Sequence, residues 1–137
     1  MERRVVLQAL AASMVTGMVP GPVFAAAQKL DKKGTGMIIV TVEVEFEDNQ
    51  IQQKIGAVQE MDAATAEETG CISYKSSLDA TNPNILRIYE MWESMDALIP
   101  HFKTPHMAKF QKELSSLKSK GMTAKVYEVS KELPFPN

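Results

Sequence analysis

Three features of this 137-residue sequence predict an α+β domain, an antiparallel sheet with helices on one side. Met37 to Glu47 alternates strictly between residues for two faces, two later stretches repeat apolar residues at helical spacing, and a Pro-Asn turn joins two further β-rich runs. The order is β-α-β-β-α-β.

The first strand puts Ile38, Val40, Val42, Val44 and Phe46 on one face and Ile39, Thr41, Glu43, Glu45 and Glu47 on the other, a period of two with one buried side. Asp48-Asn49 offers an N-cap, and from Gln50 the residues Ile51, Ile55, Val58, Met61 and Ala64 recur at helical spacing. That helix is predicted to end near Thr69-Gly70, where glycine takes a left-handed cap. Cys71 to Leu78 reads as a second strand, with Ile72, Tyr74 and Leu78 on one side and Ser76 between them. Asn82-Pro83-Asn84 turns the chain into a third strand, Ile85 to Glu93, completing a hairpin. Ser94 caps a short helix running to Phe102, and Thr104-Pro105 opens another with the stripe Met107, Phe110, Leu114 and Leu117. Gly121 is predicted to stop that helix ahead of a fourth strand, Thr123 to Val129, and Pro134 and Pro136 mark a C-terminal tail over 132–137.

This order is the ferredoxin-like split unit, whose helices cover one sheet face and leave the other bare. The third strand, however, is apolar on both sides: Leu86, Ile88 and Trp92 on one, Ile85, Tyr89 and Met91 on the other. Two apolar faces call for two coverings, and a symmetric homodimer through the bare face is the economical solution. A half-exposed sheet with scattered apolar residues is the competing one.

Ahead of the domain, Met1-Glu2-Arg3-Arg4 is followed by an apolar stretch from Val5 to Val23 and by Phe24-Ala25-Ala26-Ala27. This is the pattern of a secretory signal over residues 1–27, cleaved after Ala25 or Ala27. The run is too short and too broken by Gly17, Pro20 and Pro22 for stable membrane insertion, and Val5 to Val15 lacks the polar face of an amphipathic anchor. Arg3-Arg4 ahead of Val5-Val6-Leu7 also fits twin-arginine export. The expectation is an exported, periplasmic protein with a flexible leader over 28–36 and a domain over 37–131. Removing one acidic and two basic residues moves the formal charge from −2 to −3. An acidic domain lacks the Lys and Arg excess that nucleic-acid phosphates require. The single cysteine, Cys71, rules out an internal disulfide and a cysteine metal site.

The chemistry concentrates in Ile88 to His106. Glu90 and Trp92 share a strand face with Leu86 and Ile88, so Glu90 is a carboxylate on the apolar side, where burial is costly unless it is paired or protonated. Both histidines, His101 and His106, follow within sixteen residues and flank the turn between the short helices. A carboxylate, an indole N–H, two imidazoles and the Tyr74 hydroxyl are thereby candidates for one pocket. Imidazole is the natural proton shuttle near neutral pH, and a helix N-terminus favours neutral His106. Taken singly, each residue has a plainer role: a solvated or structural histidine, a core tryptophan, a carboxylate anchoring a loop. The histidines are five apart across a helix break rather than four apart on one helical face, and with no further His or Cys this spacing argues against a metal.

Glu67-Glu68-Thr69-Gly70-Cys71-Ile72-Ser73-Tyr74, Tyr89-Glu90-Met91-Trp92-Glu93-Ser94 and His101-Phe102-Lys103-Thr104-Pro105-His106 occur in an order and spacing that resemble the antibiotic biosynthesis monooxygenase domain, most of all its quinol-monooxygenase-like branch. The resemblance implies a dimeric α/β barrel of two ferredoxin-like units. It implies oxidation of a small quinol or phenol by O2 without flavin, metal or other cofactor: deprotonation makes the bound phenol electron-rich enough to reduce oxygen directly. Carried onto this chain, His101 or His106 would be the base or proton shuttle, Glu90 would hold a histidine or the pocket, and Trp92, Tyr74 and Phe102 would bind the aromatic substrate. The family's haem-degrading branch needs a strand-one Asn and a later Trp. Strand one here has no Asn, and His101 stands where that Trp would fall. A sugar-phosphate-type isomerase branch also resembles the segment around His106, and an exported location counts against it. A non-catalytic dimer holding an apolar ligand is the alternative outside enzymology.

Overall fold

The computed structural model describes residues 36–137; the signal sequence expected over 1–27 and all but the last residue of the leader expected over 28–36 lie outside them. β1 (Ile38–Phe46) is central to a four-stranded antiparallel sheet of order β2-β3-β1-β4, with β2 (Cys71–Leu78), β3 (Ile85–Trp92) and β4 (Ser119–Glu128). α1 (Ile55–Ala66), α2 (Met95–His101) and α3 (Pro105–Leu114) complete the ferredoxin-like order. Ile38, Val40, Val42, Val44 and Phe46 are all buried, and they meet Leu86, Ile88 and Trp92 of β3 in one core that also takes Val58, Met61, Leu98, Met107 and Phe110 from the helices. None of the described helices is long and apolar enough to cross a membrane.

α3 is tied to the turn just ahead of α1 by the Lys54–Glu113 ion pair at 2.9 Å and to α1 itself by Lys109–Glu60 at 2.5 Å. Asp62 anchors α1 to β2, accepting from the Ser76 backbone N–H at 2.8 Å and the Ser76 hydroxyl at 2.6 Å. The β2–β3 turn is organised by Asp79. Its carboxylate accepts from the Thr81 hydroxyl and N–H, the Asn82 N–H and Arg87, and those bonds, led by the Thr81 hydroxyl, hold its pKa well below the usual carboxylate range.

Several local expectations are corrected. Asp48 and Asn49 do not cap α1: the chain enters through a 3-10 turn, Ile51–Lys54, Asn49 is itself left-handed (φ 60°), and no side chain caps either segment. The Asn84 side chain serves this corner instead, accepting from Asn49 N–H and donating to Asp48. A bulge at the start of β2 pairs Cys71 with Trp92 and Ser73 with Met91. The extra residue, Ile72, is therefore turned outward at 49 % exposure, away from Tyr74's face, and Cys71 packs on the core. α3 ends at Leu114 rather than near Gly121. The Lys118 carbonyl and N–H are already engaged by Glu47 N–H (2.9 Å) and the Gln50 side chain (2.7 Å), which starts β4 four residues earlier than periodicity suggests. Gly121 lies inside β4 beside a second bulge, paired with Glu45.

Candidate functional site

The ends of all three helices meet above the β2–β3 end of the sheet. Glu68 lies two residues beyond α1, where its N–H bonds the Thr65 carbonyl (3.0 Å) and its carbonyl accepts from Cys71 N–H (3.1 Å). Gly70 is left-handed (φ 81°), and a Cβ there would come within 2.4 Å of the Ala97 Cβ. Glycine is therefore required both for the turn and for the close approach of α2. Glu93 N–H donating to the Gly70 carbonyl (2.9 Å) fastens this loop to the end of β3.

His101 is the last residue of α2 and His106 the second of α3. Ser94 caps α2 by accepting from Ala97 N–H, and Thr104 caps α3 by accepting from Met107 N–H, with Pro105 at the first helical position. The Thr104 hydroxyl also donates to the His101 carbonyl at 2.8 Å, so one side chain sets the geometry between the histidines. Both imidazoles then converge on one carboxylate oxygen: His101 Nδ1 lies 2.7 Å and His106 Nε2 2.5 Å from Glu68 Oε1.

His101 has no exposed surface and sits among rings, 5.0 Å from Trp92, 5.5 Å from Tyr74 and 5.5 Å from Phe102 between centroids. Burial pushes its pKa down, against the pull of the Glu68 bond, so the imidazole is held neutral near pH 7. With Nδ1–H donating to Glu68, Nε2 is an acceptor, and this buried atom has no hydrogen-bond partner among the described residues. His106 side-chain exposure is 25 %, and the ring borders a groove of about 160 Å³ between α1 and α3, beside Met61, Ala64 and Phe110. On its other side, Glu68 opens onto a depression of about 530 Å³ edged by Gly70, Ser94, Ala97 and Pro100.

Glu90 lies deeper. It is 4 % exposed, and its carboxylate accepts from Trp92 Nε1 at 2.9 Å. Burial pushes its pKa up to about 7, opposed by the indole bond and aided by the charge of Glu68. Burial also raises Tyr74 well above its ordinary value, and raises the Cys71 thiol ahead of repulsion from Glu68 and Glu90.

The six residues selected from sequence therefore form one connected set. Tyr74, Trp92 and Phe102 surround His101, Glu90 joins through Trp92, and His106 joins through a shared carboxylate. The carboxylate that holds the histidines is Glu68; of the two roles expected for Glu90, holding a histidine falls away, and its bond to Trp92 leaves the one in which it holds the pocket. Glu68 was legible only as part of the Glu67-Glu68-Thr69-Gly70-Cys71 segment. The signal for its role was its place just before a glycine turn that leads into the strand beneath the histidine helix.

Fold and site together define a ferredoxin-like α+β domain with a histidine pair bridged by a carboxylate under its helix ends. The chain belongs to the antibiotic biosynthesis monooxygenase family, whose model matches residues 37–113. An uncharacterized protein of Synechocystis sp. is 28 % identical over 114 residues, covering 82 % of this chain and 75 % of the relative. A Bacteroides thetaiotaomicron protein of unknown function, described as a possible oxidoreductase, is structurally similar with a TM-score of 0.62 and 26 % identity, over 69 % of this chain and 99 % of that one. A Deinococcus radiodurans protein, provisionally described as an antibiotic biosynthesis monooxygenase, reaches a TM-score of 0.66 at 20 % identity, over 73 % of this chain and 99 % of that one, a likeness of fold alone.

Proposed function

We propose that this chain is a cofactor-independent monooxygenase that oxidises a small quinol or phenol with O2, using His101 as base. The observation that carries the reading is the buried, unpartnered Nε2 of His101, set among three aromatic side chains while Glu68 holds Nδ1. A buried acceptor without a partner calls for one, and a phenolic O–H between aromatic walls supplies it. Phe102, the partly exposed ring of the three, is the side chain whose displacement admits substrate. His101 Nε2 takes the phenolic proton, and Glu68 stabilises the imidazolium. The phenolate passes an electron to O2; a C–O bond then forms and the O–O bond breaks. With hydroquinone as substrate the balance closes without a cofactor: hydroquinone and O2 give hydroxyquinone and water, the substrate supplying all four electrons. Family membership and the oxidoreductase description of the Bacteroides relative support the reaction class.

Two further readings accompany this one. The sheet face opposite the helices exposes Tyr89 and Tyr127 by 40 % and 49 % around a shallow groove of about 470 Å³, and we assign it to a second copy of the chain. Light scattering checks this: a mass of one chain at micromolar concentration removes it. Export through residues 1–27 is checked by the intact mass of the envelope-derived protein; retention of Met1 to Ala25 removes it. The reaction itself is tested with an oxygen electrode and a panel of hydroquinones. Uptake that disappears in His101→Gln supports it. Thermal stabilisation by the same compounds with no uptake above background overturns it in favour of a binding protein.

A further inference from the structure

The arrangement of Glu68, His101 and His106 has a property that the proton chemistry does not use. In a linear relay, two imidazoles would each engage a different carboxylate oxygen. Here both nitrogens converge on the same oxygen, and one donor atom from each of the three residues lies within 4.8 Å of the others. Three donors from three separate chain segments thus form a compact triangle, the shape of one face of a coordination polyhedron. A first-row ion with ligand bonds of about 2.0–2.2 Å holds neighbouring donors roughly 3–3.5 Å apart, so separations of 2.7 and 2.5 Å need to open by less than about 1 Å. His106 (25 % exposed) and Glu68 (14 % exposed) provide a path from solvent, and the depressions on either side leave room for water to complete the shell. Two imidazoles and one carboxylate suit zinc, iron, nickel or copper, and suit calcium and magnesium poorly.

We propose that Glu68, His101 and His106 form a binding site for one divalent transition-metal ion, and that its occupancy and the base function of His101 exclude each other. The exclusion follows from tautomerism. A neutral imidazole carries a single N–H; metal on Nδ1 moves that proton to Nε2 and removes the lone pair that would take the phenolic proton. The exclusion rests on the monooxygenase reading, and the metal site does not. The spacing of His101 and His106 disfavours a metal when only those two residues are counted; the third ligand comes from beyond the end of α1, and only the tertiary structure brings it there.

Isothermal titration of the metal-free chain, without a polyhistidine tag, with ZnCl2 is expected to show one ion per chain with a Kd of about 1 µM or tighter. Co2+ in place of Zn2+ is expected to give visible d–d absorption, and X-ray absorption of the Zn2+ form two imidazole ligands. Glu68→Gln and His106→Ala should each weaken binding at least about 100-fold, while Lys109→Ala on the same helix should leave it unchanged. Binding weaker than about 100 µM, fewer than two imidazoles, or undiminished affinity in both variants overturns the site. The imidazole count is made on the unaltered chain, so a misfolded variant does not rescue the proposal. Oxygen uptake by the metal-free chain tests the monooxygenase reading separately. Where that uptake exists, saturating Zn2+ is expected to abolish it and EDTA to restore it; uptake that persists with Zn2+ bound overturns the exclusion.

Discussion

Glu68 and Glu90 are two carboxylates under the same helices with opposite circumstances. Glu68 keeps 14 % of its side chain in contact with solvent and takes two imidazole nitrogens on one oxygen. Glu90 is buried to 4 % exposure with a single indole donor and a pKa pushed up to about 7. The first is a carboxylate whose one oxygen is shared between two imidazoles. The second is pushed toward its neutral form because one neutral donor does not offset its desolvation, to which the charge of Glu68 adds. Proximity in sequence pointed to Glu90, eleven residues before His101, yet Glu68, thirty-three residues before it, is the partner.

The contrast breaks most sharply in activity. Glu68→Gln is expected to lower kcat for quinol oxidation by at least about 10²-fold, because an amide can donate to Nδ1 and turn the imidazole to the wrong tautomer. Glu90→Gln, which keeps an acceptor for the indole, should lower it by less than about tenfold; equal losses in oxygen uptake would erase the distinction. Gly70→Ala attacks the Glu68 side through the backbone. A left-handed alanine with its Cβ driven onto Ala97 should cost about 3 kcal/mol or more and lower the melting temperature by roughly 10 °C or more, read by calorimetry.

Glu90 makes stability fall as pH rises, and the lowered pKa of His101 acts in the opposite direction. Burial raises the folded pKa of Glu90 from the ordinary carboxylate value of 4.5 to about 7, so the folded state binds the extra proton between those values. Its contribution is fully present below pH 4.5 and is lost as pH rises through 7, a change on the order of 3 kcal/mol. Urea melts from pH 4.5 to 8 should show that decline in the unaltered chain and a flatter profile in Glu90→Gln. The smallest effect belongs to Thr104→Ala, which removes the α3 cap and the bond to the His101 carbonyl. About 1 kcal/mol of stability should go with it, and a larger proportional loss of activity than of stability would show that the cap positions the histidines.

Much of this was readable from local pattern. The alternation from Ile38 to Phe46 predicts the central strand because one side of a sheet must meet the helices, and those five residues are buried as predicted. Ser94 and Thr104-Pro105 predict both short helices because a hydroxyl accepting a free N–H is a local interaction. Where prediction failed, the deciding contact came from far along the chain. Lys118 is drawn to β1 by Glu47 and Gln50, which ends α3 early, and the bulge opposite Trp92 and Met91 turns Ile72 outward. Neither is encoded in the period of the segment itself.

The same division runs through the site. The sequence by itself determined the α+β order, the placing of Glu90 and Trp92 on an apolar strand face, and a family resemblance that the 37–113 match bears out. The identity of the carboxylate between the histidines was decided only in three dimensions. Glycine at position 70 is what lets the loop beyond α1 run within contact of α2, and a bridge between residues 68, 101 and 106 exists only once those helix ends are packed together. Side-chain type and periodicity are local properties of a chain; the convergence of three donors on one point is a property of its packing.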